Sequence, residues 1–391
     1  MNDQNSIQIT DYYDAETFKR IKAFADTQET PCLVVDTATI ANQYDELVEN
    51  FPYANVYYAV KANPAPQVLS LLRDRGSNFD IASIYELDKV MALDVSPDRI
   101  SYGNTIKKSK DIRAFYDRGV RLFATDSEAD LRNIAKAAPG SKVYVRILTE
   151  GTQTADWPLS RKFGCHTDMA MDLLILARDL GLVPYGVSFH VGSQQREIGA
   201  WDAALGNVKV IFDRLKEEDG IVLQMINMGG GFPANYVSRT NDLKTYAEEI
   251  ERFIREDFGD DFPEIIIEPG RSLIANAGVL VSEVVLISRK SRHGLHRWVF
   301  TDVGKFSGLI ETLDESIKFP VYTEKTGECE DVVIAGPTCD SADIMYEHYK
   351  YGLPLNLAMG DRMYWFTTGA YTTTYSAVCF NGFPPLQDYY V

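Results

Sequence analysis

Lys61 closes an apolar run, residues 56–60, inside the segment Ala-Val-Lys-Ala-Asn at positions 59–63. The run reads as a buried strand, which puts the lysine at its tip. A lysine sheltered enough to lose its proton is nucleophilic and can hold an aldehyde cofactor as a Schiff base. Further residues of chemical type follow the same placement. Asp80 lies in the second strand-like run, Arg146 ends the fifth and His190 ends the sixth. Gly229, Gly230 and Gly231 follow the seventh, and Glu268-Pro269-Gly270-Arg271 ends the eighth. Consecutive glycines let bare backbone N–H groups come close to a phosphate. Any one of these residues has an ordinary structural explanation, but that explanation must place all six groups on one rim by chance.

Such a rim needs a scaffold that gathers strand ends. Short strand-like runs alternate with amphipathic helical stretches from about residue 38 to about residue 276, the pattern of βα repeats. Strands are expected at residues 55–60, 78–82, 100–102, 121–124, 142–147, 184–189, 222–227 and 264–268. Helical periodicity between them shows in Val68, Leu71 and Leu72, and in Leu173, Leu174, Ala177 and Leu180, with Gly76 and Gly181 as stops. Eight units predict a closed (β/α)₈ TIM-like barrel, whose functional residues collect at the carboxyl ends of the strands. After Gly278 the texture becomes β-rich, with runs at residues 279–287, 298–301, 331–334, 356–359 and 376–380 separated by turn residues. This predicts a second, antiparallel β-rich domain. The early run at 31–35 is also strand-like and joins it, so the barrel, residues 38–276, is inserted between residues 1–37 and 277–391. No internal repeat, low-complexity segment or long linker interrupts this plan.

The 391 residues, 45% hydrophobic and 24% charged, are enough for two domains with a large core. A formal charge of −17 opposes nucleic-acid binding and concentrates small cations near the surface. Residues 1–10 are polar, without the features of a leader, and no apolar stretch approaches membrane-spanning length, so a cytoplasmic location without membrane contact is expected. The five cysteines form no CxxC pair, which argues against a disulfide framework or a zinc ribbon, and no metal is expected.

The chain resembles the fold-type III pyridoxal-phosphate decarboxylases of the ornithine and lysine decarboxylase family. The resemblance lies in Tyr58-Ala-Val-Lys61-Ala-Asn63, Phe79-Asp-Ile-Ala-Ser83 with Glu86, Phe189-His-Val-Gly-Ser193, Gly229 to Gly231, Glu268 to Arg271, Gly336-Pro-Thr-Cys-Asp340 and Gly369-Ala-Tyr371. These motifs span nearly the whole chain. The resemblance implies pyridoxal 5'-phosphate as cofactor, bound covalently through Lys61. Glu268 then faces the pyridine nitrogen and keeps it protonated, which makes the ring an electron sink, and His190 stacks on the ring face. Ser193, Gly270, Arg271 and Tyr371 join the three glycines around the phosphate. Asp80, Glu86 and Arg146 line or brace the site.

In this family the cysteine and aspartate matched by Cys339 and Asp340 enter the active site of the partner subunit. The resemblance therefore implies a homodimer with shared active sites, in which Cys339 returns a proton to the α-carbon and Asp340 holds the substrate's distal ammonium. Counting from Asp302, Asp314 falls where ornithine-type relatives carry a second carboxylate for that amine. Leu313 departs from the aromatic residue common before it. Two carboxylates favour a substrate that ends in a cation, since an unpaired anion buried beside them is costly. The expected reaction is decarboxylation of a small diamino acid, L-ornithine to putrescine, with L-lysine to cadaverine as a second activity. The rivals are diaminopimelate decarboxylase, whose cysteine is usually followed by glutamate, alanine racemase, whose second catalytic residue has no match here, and a non-catalytic decarboxylase-like binding protein.

Overall fold

The computed structural model describes residues 7–149, 154–158, 161–294 and 296–391. They form two compact units, one of Ala41–Pro233 with Thr240–Ser272, the other of the remaining described residues.

In the first unit eight parallel strands close into a barrel. In chain order they are Ala54–Ala59, Asn78–Ile81, Ile100–Tyr102, Leu122–Thr125, Lys142–Arg146, Val183–Ser188, Met225–Asn227 and Glu264–Ile267. Each pairs with its successor in this order, and Ile265 opposite Ala54 closes the ring. All eight expected strands are present. The seventh is shorter than its apolar run because Val222 is exposed and stands outside the ladder. Tyr57, Ala124, Tyr144, Met225 and Ile266 pack into one buried cluster, so this is a filled core with no pore.

The helices follow from local chemistry. Pro66–Asp74 starts on a proline, whose missing N–H costs nothing in the first turn, and buries Val68, Leu69 and Leu72. Gly76, at φ +91°, takes the left-handed turn that ends it. Ser83 caps Ile84–Met91 by accepting the Glu86 N–H at 3.3 Å. A two-stranded antiparallel ladder, Ala155–Trp157 with Ser193–Gln195, was not legible in the sequence and fixes the backbone at Ser193.

The second unit is an eight-stranded sheet. Gly278–Arg289 is its central strand, paired antiparallel with Cys32–Val35, Arg297–Thr301 and Arg362–Phe366. Two pairs are parallel: Cys32–Val35 with Gln387–Tyr390, and Arg297–Thr301 with Cys329–Ala335. The helix Ala15–Ala25 lays Phe18 and Ile21 onto a core that includes Val34, Val279, Tyr364 and Phe366.

Two expected strands of this unit are corrected. Residues 356–359 form a turn, in which the Ala358 N–H donates to the Asp361 carboxylate at 2.7 Å, and the strands are Ile344–Pro354 and Arg362–Phe366 on either side. Residues 376–380 form no strand. Cys379 and Asn381, at φ +58° and +51°, take left-handed backbone that no strand accepts, and the last strand is Gln387–Tyr390. Among the described residues no helix is long and apolar enough to cross a membrane.

Candidate active site

Lys61 sits in the turn Val60–Ala62 immediately after the first barrel strand, its side chain half exposed. Its Nζ lies 3.8 Å from a carboxylate oxygen of Asp80 in the second strand. Asp80 is buried, and among the described residues its other oxygen, Oδ1, finds no hydrogen-bond partner. Gly103, beyond the third strand, leaves the space this carboxylate needs, since any Cβ there would run into Oδ1. Burial, then the charge of Glu268, holds the Asp80 carboxyl well above its usual range, against the pull of Lys61. Glu86 accepts the Ala82 N–H at 2.7 Å. Burial raises its carboxyl, while that amide and Lys61 oppose the shift.

On the other flank of the first strand, Asn227 ends the seventh strand and spans two elements. Its Nδ2 donates to Glu268 Oε1 at 2.5 Å, and its Oδ1 accepts the Gly229 N–H at 2.9 Å. The Glu268 N–H in turn donates to the Gly229 carbonyl at 2.7 Å. Asn227 thus fixes both the carboxylate and the start of the glycine run. Gly230 is hemmed in: a Cβ there would lie 2.6 Å from the Glu268 carbonyl and 3.4 Å from His190 Nε2. Gly231, at φ +105°, would meet the Gly192 carbonyl at 2.6 Å. Only glycine fits this approach of three loops.

The Gly192 N–H donates to His190 Nδ1 at 3.0 Å, so the imidazole carries its proton on Nε2. Burial, then the charges of Arg146 and Lys61, holds His190 well below its usual range, hence neutral. Arg146, at the end of the fifth strand, lies with its guanidinium carbon 5.1 Å from the centre of the Phe163 ring. Arg271 is buried and donates from Nε to Ser193 Oγ at 3.0 Å. The Ala59 N–H donates to the Pro269 carbonyl at 3.0 Å, which ties the strand end before Lys61 to the Glu268-Pro269-Gly270-Arg271 turn.

The structure therefore gathers Lys61, Asp80, Glu86, Arg146, His190, Ser193, the three glycines, Glu268, Gly270 and Arg271 on the carboxyl-terminal rim of one barrel. Sequence reasoning missed Asn227 and Gly103. A polar residue at the end of a buried strand, directly before a glycine run, was the available signal for Asn227.

The remaining sequence-predicted residues belong to the second unit. Cys339 is exposed, and its N–H donates to Asn381 Oδ1 at 2.9 Å. Asp340 is exposed and accepts the Ala342 N–H at 2.8 Å. The loop carrying both is built on Asp343, another residue the sequence did not single out. Its buried carboxylate accepts the Lys305 and Thr338 N–H groups at 2.8 and 3.1 Å and the Thr338 hydroxyl at 2.7 Å. Asp314 is exposed at φ +52°, and Tyr371, at φ +56°, has its ring 5.9 Å from that of Tyr375.

The barrel residues fit a pyridoxal phosphate group. Among the described residues no protein acceptor faces the amides of Gly230 and Gly231, which leaves donors for a phosphate beside the paired Arg271 and Ser193. The half-exposed amine of Lys61 stands beside the Asp80 carboxylate, a polar setting suited to an aldehyde head.

Comparison with known proteins agrees. Residues 37–275 match the family model described as pyridoxal-dependent decarboxylase, pyridoxal binding domain. The lysine/ornithine decarboxylase of Selenomonas ruminantium is 34% identical over 366 residues, covering 93% of this chain and 90% of its own. The crystal structure of SrLDC in complex with PLP and cadaverine superposes with a TM-score of 0.86 at 31% identity, covering 99% of this chain and 95% of that one. Antizyme inhibitor 2 of Xenopus laevis is 30% identical over 377 residues, covering 91% of this chain and 80% of its own.

Proposed function

The chain belongs to the pyridoxal-dependent decarboxylases of basic amino acids, carboxy-lyases that use pyridoxal phosphate, and from that premise we propose that it converts L-ornithine to putrescine, with L-lysine to cadaverine as a second activity. One observation carries the choice of a substrate ending in a cation. Asp314 and Asp340 are exposed carboxylates, and among the described residues neither has a cation beside it. A distal ammonium would supply the missing charge, whereas the second carboxylate of diaminopimelate would be repelled.

Bound pyridoxal phosphate supplies an aldehyde that condenses with amines and a ring that withdraws the electron pair left when CO₂ departs. Lys61 would hold the group and give way to the substrate α-amine, with Asp80 beside its Nζ. Glu268, aimed by Asn227, would present its carboxylate to the ring nitrogen and keep a proton there. His190, neutral, would face the ring without adding charge, and Arg146 balances the carboxylates of the rim. The glycine amides, Ser193, Gly270, Arg271 and Tyr371 would hold the phosphate and so orient the substrate. Cys339 of the second subunit in a homodimer with shared sites gives a proton to the α-carbon, and Asp340 and Asp314 hold the distal ammonium.

Borohydride reduction of the reconstituted enzyme, followed by peptide mass mapping, tests the covalent step: the cofactor mass is expected on Lys61, and its appearance on another lysine overturns the assignment. The same experiment separates an enzyme from a non-catalytic binding protein, which retains no cofactor. Asp340→Ala is expected to raise KM for ornithine and lysine by about 10–100-fold, the loss of one charge-assisted contact, with the cofactor adduct intact.

A further inference from the structure

Glu315 makes contacts that neither the barrel chemistry nor the packing of its own loop requires. Its carboxylate accepts three consecutive backbone N–H groups, from Glu347 and His348 at 2.6 Å and from Tyr349 at 2.7 Å. These amides lie in the strand Ile344–Pro354, at a break in its ladder with Cys329–Ala335. Val332 pairs with Tyr351 and Ile334 with Tyr346, so residues 347–350 oppose Val333 alone. The surplus residues bulge out, and their N–H groups converge into a nest suited to an anion. Glu315 occupies it. Burial alone would raise its carboxyl, yet the amides of His348, Tyr349 and Glu347 hold it below the ordinary glutamate range.

The loop on the other side of this contact is strained. Asp314 and Glu315 have φ of +52° and +53°, adjacent left-handed positions in residues other than glycine. Such backbone persists only where its surroundings over-determine it. Two tyrosines of the same strand complete the hold. The Tyr346 hydroxyl donates to the Ile317 carbonyl at 2.7 Å and accepts the Phe319 N–H at 2.9 Å, and the Tyr351 hydroxyl donates to the Phe319 carbonyl at 2.6 Å. Residues 315–319 are thereby pinned, and Leu313 and Asp314 stand exposed at the apex.

We infer that Glu315 is a positioning residue for substrate choice: seated in the nest of residues 347–349, it fixes the height at which Asp314 meets the distal ammonium of a diamino acid. The inference rests on the reading of Asp314 given above. Ornithine and lysine differ by one methylene, so the height of that carboxylate decides which chain length matches it. Loss of the Glu315 anchor lets the left-handed pair relax and moves Asp314 out of hydrogen-bonding register.

The test uses full-length holoenzyme carrying Glu315→Gln, Asp314→Asn or both, assayed on ornithine and lysine. Glu315→Gln is expected to raise KM for both substrates about tenfold and to shift their kcat/KM ratio, with kcat held within about threefold. Its amides at 347–349 are expected to exchange hydrogen faster than in the parent. The double variant is expected to be no worse than Asp314→Asn, because Glu315 acts through that residue. An unchanged KM in Glu315→Gln beside a raised KM in Asp314→Asn overturns the inference alone. Additive losses in the double variant, or unaltered amide exchange, overturn it too. An unchanged KM in Asp314→Asn removes the assigned role of Asp314 and this inference with it.

Discussion

Asn227 shows how one side chain can set the chemistry of another. It is the only polar residue of its short strand, and it serves Glu268 and Gly229 at once through bonds of 2.5 and 2.9 Å. Asn227→Asp keeps the acceptor for the Gly229 N–H but replaces the donor to Glu268 with a second negative charge. Retained pyridoxal phosphate is expected to bind about 10–100-fold more weakly, as read by dialysis and titration of the cofactor's absorbance. His190 makes a second prediction. Its folded pKa lies well below the ordinary 6.5, so above pH 6.5 its stabilising contribution is fully present, and it is lost as pH falls toward the folded value. Below pH 6.5 the cofactor-free protein is expected to lose up to about 1.4 kcal/mol per pH unit through this group. His190→Asn should flatten that acid limb, measured as urea midpoints between pH 7.5 and about 5.5; an equal slope in both proteins would remove His190 as its source.

Among the elements, the loops after the sixth, seventh and eighth barrel strands touch at one point, Gly230. Gly230→Ala places a methyl group against the Glu268 carbonyl, and because the neighbour is backbone the loops must part. A loss of about 1–3 kcal/mol is expected, together with a smaller rise in Tm on adding pyridoxal phosphate than the parent shows. This rim was legible because parallel strands buried on both faces read as unbroken apolar runs, as in Ile265-Ile266-Ile267, and the residues that end them stand out. The second unit was less so. Residues 344–354 form a strand, but Glu347, His348 and Lys350 interrupt its apolar spacing because those positions bulge, and a period-two search passes over them. Asn227 escaped notice for a different reason: its partner Glu268 is 41 residues away, and only closure of the barrel reveals the pairing.

At the scale of the whole molecule, the second unit presents Cys339 on a surface unlike the rest. The Cys339 N–H is held by Asn381, and the segment around Asn381 exposes Tyr375, Val378, Phe380 and Phe383, with Val378 79% exposed. The Phe306 ring lies 4.8 Å from that of Phe380 and steadies the segment from below. Large apolar side chains exposed beside Cys339 are expected of an interaction surface, and the proposed two-fold homodimer would give that surface an occupant of matching chemistry. The proposed shared-site arrangement makes a quantitative prediction. Lys61→Ala destroys the barrel half of a site, and Cys339→Ala is expected to lower kcat by about 10²–10⁴-fold through its donated half. When the two inactive proteins are mixed and allowed to exchange subunits, random pairing makes about half of the dimers mixed, and each mixed dimer holds one site with both halves intact. Recovery of about a quarter of the parental activity is therefore expected, rising with the rate of subunit exchange. Mixtures that regain no activity while native mass spectrometry shows mixed dimers would mean that each subunit builds its site alone, because only donation across the two-fold axis lets two broken chains restore one another.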